Sequence, residues 1–346
     1  MITIDGSMGE GGGQLLRSSL TLSLLTQVPF RITNIRARRA RPGLMRQHLT
    51  SVNAATAIGD ADVVGARIGS TDLTFRPKAI RGGDYAFAID GAGSTTLVLQ
   101  TILLPLLLGA AERSRIVLEG GTHNPMAPPL DFLALAFLPL LLRMGARATT
   151  EFERYGFYPA GGGRFVATVD PFPRGQKLAR LELLERGETL ERSATAVVAE
   201  VPPSVALREL DTFARALGWD LASCKPRVVR ECRGPGNVLL AIVRSEHVTE
   251  VFAGFGERGV RAESVAESLS REVLRYLEAG VPVGEHLADQ LLLPMALGSG
   301  GTFRTLALTE HARTQMDLLR TFVGISVHAE QESRDVWRVE VPFGGV

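Results

Sequence analysis

Three stretches of this chain share one order of apolar and polar positions. Each has a glycine-rich turn, a strongly apolar helix, a short apolar strand, a second amphipathic helix and then two strands. In the first stretch the turn Gly9–Gly13 precedes a helix from about Gln14 to Leu25. A β-rich run over Phe30–Ile35 follows, then a helix from Gly43 to Ile58 and strands near Val63 and Leu73. In the second, a strand over Tyr85–Ile89 leads through Gly91-Ala92-Gly93-Ser94 into a helix ending near Leu108. A strand over Arg115–Leu118, a helix over Leu130–Met144 and strands near Ala148 and Phe165 complete it. The third runs through a helix over His286–Leu297, a strand over Thr302–Leu306 and a helix over His311–Phe322. Strands over Ile325–Ala329 and Val336–Val341 close it.

Apolar strands alternating with amphipathic helices predict an α/β (α+β) fold in which helices cover one face of each sheet. Between about Leu184 and Tyr276 the pattern changes and glutamates accumulate. Strand-like runs appear at Ala194–Val201 and Val238–Arg244, with a helix at Ser204–Leu217, and Pro202-Pro203 reads as a loop. The expected organisation is a large domain of three βαβαββ repeats over 1–183 plus 277–346. A smaller α/β domain, 184–276, is inserted into the third repeat.

The longest apolar run, Leu97–Leu108, carries Gln100, Thr101 and Pro105 and is too short to span a bilayer. The start of the chain shows no export signal, and Cys224 and Cys232 form neither a disulfide framework nor a zinc pattern. A cytoplasmic location without membrane attachment is the expectation. The net charge of +1 says nothing for nucleic acid, but its distribution does. From Gly11 to Gly59 there is no Asp, Glu or Lys, while Arg17, Arg31, Arg36, Arg38, Arg39, Arg41 and Arg46 all fall there. A guanidinium presents a planar fork that fits phosphate oxygens in pairs. An acid-free, all-arginine segment therefore fits either phosphate recognition or a solvated face.

The segment from Gly9 to Gln14 opens a helix, where bare backbone N–H groups could cradle an anion, or simply turn the chain. It lacks the ending of a Walker loop. Glu10 beside such a cradle suits a bridging divalent metal, or a solvent-exposed carboxylate. Gly120-Gly121-Thr122-His123-Asn124-Pro125 lies at a strand's C-terminal edge, where ligands of open α/β sheets bind; the alternative is a turn with a surface histidine. Six histidines are present, none in zinc-ligand spacing. His311 opens a helix after a strand, a place for a nucleophile or base, or for an ordinary capping histidine.

Taken together, the motifs resemble those of RNA 3′-terminal phosphate cyclases. The resemblance is carried by Glu10-Gly11-Gly12-Gly13-Gln14-x-Leu16-Arg17, by Ile35-Arg36-Ala37-x-Arg39-x-x-Pro42-Gly43-Leu44 and by Gln47-His48-Leu49. Gly91-Ala92-Gly93-Ser94 with Gln100, and Gly120-Gly121-Thr122 with Ala127-Pro128, extend it. So do Gly156-Phe157-Tyr158-Pro159-x-Gly161-Gly162-Gly163 and His286-Leu287-Ala288-Asp289-Gln290-Leu291-Leu292-Leu293-Pro294. These segments span the chain in family-like order. The resemblance implies repeated βαβαββ units with an inserted small domain, and ATP-dependent conversion of an RNA 3′-terminal phosphate to a 2′,3′-cyclic phosphate through a histidine–AMP adduct.

By position, the resemblance makes His311 the nucleophile and places Glu10 near the metal (Mg²⁺ or Mn²⁺) and the triphosphate. Gln100, His286, Leu287, Ala288, Asp289 and Gln290 would line the adenosine pocket, with Asp289 near the nucleophile and able to orient the imidazole. Arg17, Arg36, Arg39 and Gln47 would hold the RNA 3′-phosphate. Two positions depart from the family pattern. Thr309-Glu310-His311-Ala312-Arg313 is not the serine-rich run, and His286 stands where a tyrosine is familiar. The rival classes are a non-catalytic RNA-binding relative acting in ribosomal RNA processing and an enolpyruvyl transferase, also built of βαβαββ units. The sequence leaves the oligomeric state open.

Overall fold

The computed structural model describes residues 1–9 and 11–343; Glu10 and residues 344–346 lie outside the described residues. The first unit comprises β1 (Ile2–Asp5), α1 (Gln14–Thr26), β2 (Phe30–Thr33), α2 (Arg46–Gly59), β3 (Asp62–Val64) and β4 (Leu73–Arg76). β1 and β2 run parallel, which requires a crossover, and α1 supplies it. β4 returns antiparallel beside β2 and β3 closes the edge, so the strand order is β1-β2-β4-β3.

The second unit repeats this path. It comprises β5 (Asp84–Ala88), α3 (Thr95–Gly109), β6 (Ser114–Gly120), α4 over 130–143, β7 (Ala148–Arg154) and β8 (Gly163–Val169), in the order β5-β6-β8-β7. α4 is continuous but carries a π-helical turn over Leu133–Phe137.

After β9 (Leu181–Leu183) the chain builds a sheet of another topology. β10 (Thr189–Ala199), α5 (Pro203–Leu217), β11 (Cys224–Val229), β12 (Gly236–Ser245), β13 (Thr249–Phe255) and α6 (Ala262–Ala279) give the order β11-β10-β12-β13. The remaining elements are α7 (Glu285–Ala296), β14 (Gly301–Thr305), α8 (Glu310–Val323), β15 (His328–Ser333) and β16 (Val336–Val341). β9 pairs parallel with β14 although the whole intervening sheet separates them in sequence. The resulting order, β9-β14-β16-β15, follows the path of the first two units. The α/β class expected from the sequence is the one observed.

Beyond Gln14 and Arg17, α1 carries only apolar or hydroxyl-bearing side chains, as suits a helix buried from Ser18 to Leu24. It packs against α2, α3 and α8, and its Thr21 hydroxyl donates to the Thr101 carbonyl of α3 at 2.8 Å. The central strands of the small sheet, the second half of β10 and β12, are buried on both faces because pleating sends alternate residues to opposite sides. Val197, Ala199, Val238 and Leu240 join the main core, whereas Ala196, Val198, Leu239 and Ala241 pack on Phe213, Trp219 and Tyr276. Each fully buried Val or Leu contributes about 1.5–3 kcal/mol, so this docking is held firmly.

Several element ends differ from the sequence reading. The strand read as Phe30–Ile35 stops at Thr33, because Asn34 and Arg36 take positive φ angles of 53° and 55°. The following helix begins at Arg46 rather than Gly43, whose φ of 81° is outside the helical region. Pro203 opens α5 instead of continuing a loop, a position where proline's missing N–H costs nothing. β15 begins at His328, later than the expected Ile325. β11 was not legible: it is an edge strand with Pro226 and exposed charges, paired among the described residues with β10 alone.

Candidate active site

α1 and α8 present their N-terminal ends to one another. His311, in the first turn of α8, is half-buried, and its Nδ1 contacts Gln14 Oε1 at the start of α1. The Gln14 amide is oriented by its other end. Its Nε2 donates to the His311 carbonyl at 3.2 Å and to Gln315 Oε1 at 3.4 Å, and Gln315 also accepts from the Ser18 hydroxyl at 2.7 Å. With Nε2 donating, Oε1 must accept, so the imidazole proton sits on Nδ1 and the in-plane lone pair on Nε2. Thr309 caps α8 by accepting from the Ala312 N–H at 3.0 Å, and its own hydroxyl donates to Asp289 Oδ1 at 2.7 Å. The helix terminus adds a partial positive charge beside the ring.

A cationic group stands at the same end of α1. Gly13 is the cap residue, and a Cβ there would come within 2.2 Å of His48 Nε2 and 2.9 Å of an Arg17 guanidinium nitrogen. His48 is buried, and its Nδ1 accepts from the Met45 N–H at 3.2 Å, which leaves the proton on Nε2. Burial, with the Arg17 and Arg36 charges adding to it, pushes His48 down to about 3. It is therefore a neutral donor among guanidinium groups. Arg36 is fixed by donating to the Arg41 and Gly43 carbonyls at 2.6 and 3.0 Å, and the Arg39 N–H returns to the Arg36 carbonyl at 3.0 Å. Desolvation, with Arg39 beside it, lowers the Arg36 pKa. Clustered cations of this kind are stabilised by an anion.

On the other side, α3 and α7 meet through Gln100 Nε2 and Gln290 Oε1. His286 is exposed one helical turn before Gln290, while Leu287 and Ala288 turn their side chains into the main core. Gln47 accepts from the Ser94 N–H at 2.6 Å and so ties α2 to the turn that starts α3.

The structure thus brings His311 together with the glycine turn, and Asp289 with Thr309 two residues before the histidine. Arg17 and Arg36 sit with His48, Arg39 beside Arg36, and Gln100 with Gln290. Glu10 falls outside the described residues. His123 is not on the surface: it is 1% exposed and holds Asp131 Oδ2 at 2.7 Å. Among the described residues no three His, Cys, Asp or Glu side chains converge to hold a metal ion. An ion arriving on a triphosphate needs only one or two carboxylates from the protein. Sequence reasoning gave no role to Gln14, Gln315 or Thr309. The available signal was spacing: Gln315 lies one turn after His311, and Gln14 is the first side chain after three glycines.

Comparison with known proteins gives the family. Residues 8–329 match the family model described as RNA 3′-terminal phosphate cyclase. A protein of that name from Ralstonia nicotianae is 51% identical, covering 98% of this chain and 97% of its own length. One from Koribacter versatilis is 49% identical over 96% of this chain and 92% of its own length. One from Ectopseudomonas mendocina is 49% identical over 99% and 98%. No helix among the described residues is long and apolar enough to cross a membrane.

Proposed function

We propose, on the premise that this chain belongs to the RNA 3′-terminal phosphate cyclase family, that it cyclises RNA 3′-phosphate ends at the expense of ATP through a histidine–AMP intermediate. The reading is carried by His311, whose ring is oriented by Gln14 so that the in-plane lone pair falls on Nε2. In the first step that lone pair attacks the α-phosphorus of ATP, the bond to the bridging oxygen breaks and pyrophosphate leaves. In the second, an oxygen of the RNA 3′-phosphate displaces the imidazole, so AMP passes to the RNA end. In the third, the neighbouring ribose 2′-OH attacks the activated phosphorus, loses its proton and expels AMP, leaving the cyclic phosphate.

Arg17, Arg36, Arg39 and Gln47 are assigned to the RNA 3′-phosphate, where the neutral His48 Nε2–H is a further donor of suitable sign. Gln100, Gln290 and His286 are assigned to the adenosine pocket; Leu287 and Ala288 would contribute through their backbone. Asp289 acts on the N-terminus of α8 through Thr309. Glu10 is the carboxylate assigned to the Mg²⁺ or Mn²⁺ that ATP carries.

The test is exposure to ATP labelled at the α-phosphate, followed by mass analysis. An acid-labile, alkali-stable AMP adduct on His311 is expected, absent in His311→Ala. An adduct on another side chain, or none with the unaltered protein, would refute the reading.

A further inference from the structure

The phosphate-binding arginines continue into a surface that the three steps above do not use. Gly91-Ala92-Gly93-Ser94 lies against Gln47 and Arg46, whose guanidinium is 3.9 Å from a Cβ built on Gly91. The next turn, 158–163, is laid directly upon it: a Cβ on Gly161, at φ +68°, would fall 2.1 Å from the Gly91 carbonyl oxygen. Beyond that, the loop between β11 and β12 brings Arg233 across Gly162, with Cδ 2.2 Å from its built Cβ. The result is a strip paved by backbone, with Arg46 at one end and Arg233 at the other.

The side chains on this strip are those a single strand uses. Tyr158 is 69% exposed, and its ring stacks on no other aromatic ring among the described residues. Arg233 is exposed and has no carboxylate partner among the described residues. Arg46 meets Asp90 at 3.4 Å, but both side chains are mostly exposed, so the pair is weak and easily exchanged for a phosphate. Exposed aromatic faces flanked by arginine bind unpaired bases and backbone with little regard to sequence.

We propose that the RNA strand on the 5′ side of the terminal nucleotide crosses this strip, stacks a base on Tyr158 and places backbone phosphates at Arg46 and Arg233. The inference rests on the cyclase reading and adds the path of the substrate. It implies a single-stranded end of several nucleotides and no preference for particular bases.

The experiment compares KM for cyclisation of a 3′-phosphorylated dinucleotide with that of an oligonucleotide of about ten nucleotides. Thermal unfolding confirms that each variant is folded. The unaltered protein is expected to favour the longer substrate. Tyr158→Ala is expected to reduce that preference about 5- to 50-fold, and Tyr158→Phe to restore it. Arg233→Ala is expected to lower the slope of log affinity against log salt by about 0.7. An unchanged length preference in Tyr158→Ala, or none in the unaltered protein, would overturn the path while leaving cyclisation intact. So would sedimentation showing that Tyr158→Ala dissociates a dimer with RNA binding unaffected. Absence of cyclisation with both substrates would instead refute the cyclase reading itself.

Discussion

Replacing Gln14 by glutamate separates the chemical role of this contact from a packing role. The substitution keeps the length of the side chain and an acceptor facing His311 Nδ1, but sets a full negative charge against the ring. Charges about 4 Å apart attract by about 1 kcal/mol in bulk water and about 4 kcal/mol at an effective dielectric of ~20. His311 is half-buried, so a value of about 1.5–2 kcal/mol applies, equivalent to a rise of about one unit in the pH at which the ring loses its proton. Only the neutral imidazole has the lone pair that attacks phosphorus. Single-turnover adenylylation across the neutral range should therefore show its acid limb displaced upward by about one pH unit, with the alkaline plateau largely kept. The substitution also removes the Nε2 donor bonds to the His311 carbonyl and Gln315, at about 1 kcal/mol each in stability. Thermal unfolding reads that loss separately. Gln14→Met, which offers no acceptor, should slow the step without moving the limb. A uniform fall in rate at every pH for Gln14→Glu would show that Gln14 only fills space.

Two further substitutions test the remaining assignments. Arg39→Ala should leave the uptake of AMP from ATP largely intact while slowing transfer to 3′-phosphorylated RNA by one to two orders of magnitude, since a charge-assisted contact carries about 1.5–3 kcal/mol; equal losses in both steps would assign the arginine to ATP. Glu209 is buried beside Asn237 and desolvation pushes it up to about 7 from 4.5, so its contribution to stability is present below pH ~4.5 and is lost as pH rises through about 7. The loss is at most about 3 kcal/mol, and Glu209→Gln should flatten that part of the stability–pH curve measured by urea unfolding; an undiminished slope would locate it at Glu250, which desolvation raises to about 8, or at Glu272, which desolvation also raises.

The helices that carry the site were readable because their apolar spacing is strong and their starts are marked. α1 follows three glycines, α3 follows Ser94, whose hydroxyl accepts from the Leu97 N–H at 3.3 Å, and α8 follows the Thr309 cap. Elements of the small sheet were harder to read. β11 carries Pro226 and exposed charged residues, and the acidic, lysine-poor face of α6 masks the apolar stripe of Val265, Leu269, Val273 and Tyr276. The histidine roles were the least legible. His48, His123 and His311 are the same residue type at unremarkable spacings, yet one is a buried neutral donor, one a buried partner of Asp131, and one a half-exposed ring held by an amide.

By itself the sequence determined the local order of helices and strands, the acid-free arginine segment and the glycine turns, because these depend on neighbours a few residues away. Only the tertiary structure decided which side chains meet. Gln14 and His311 are 297 positions apart, and Gln100 and Gln290 are 190. β9 pairs with β14 although a whole sheet separates them in sequence. Contacts over such distances, and the proton position that one of them fixes on His311, follow from how the packed units bury their shared core, and no periodicity along the chain encodes them.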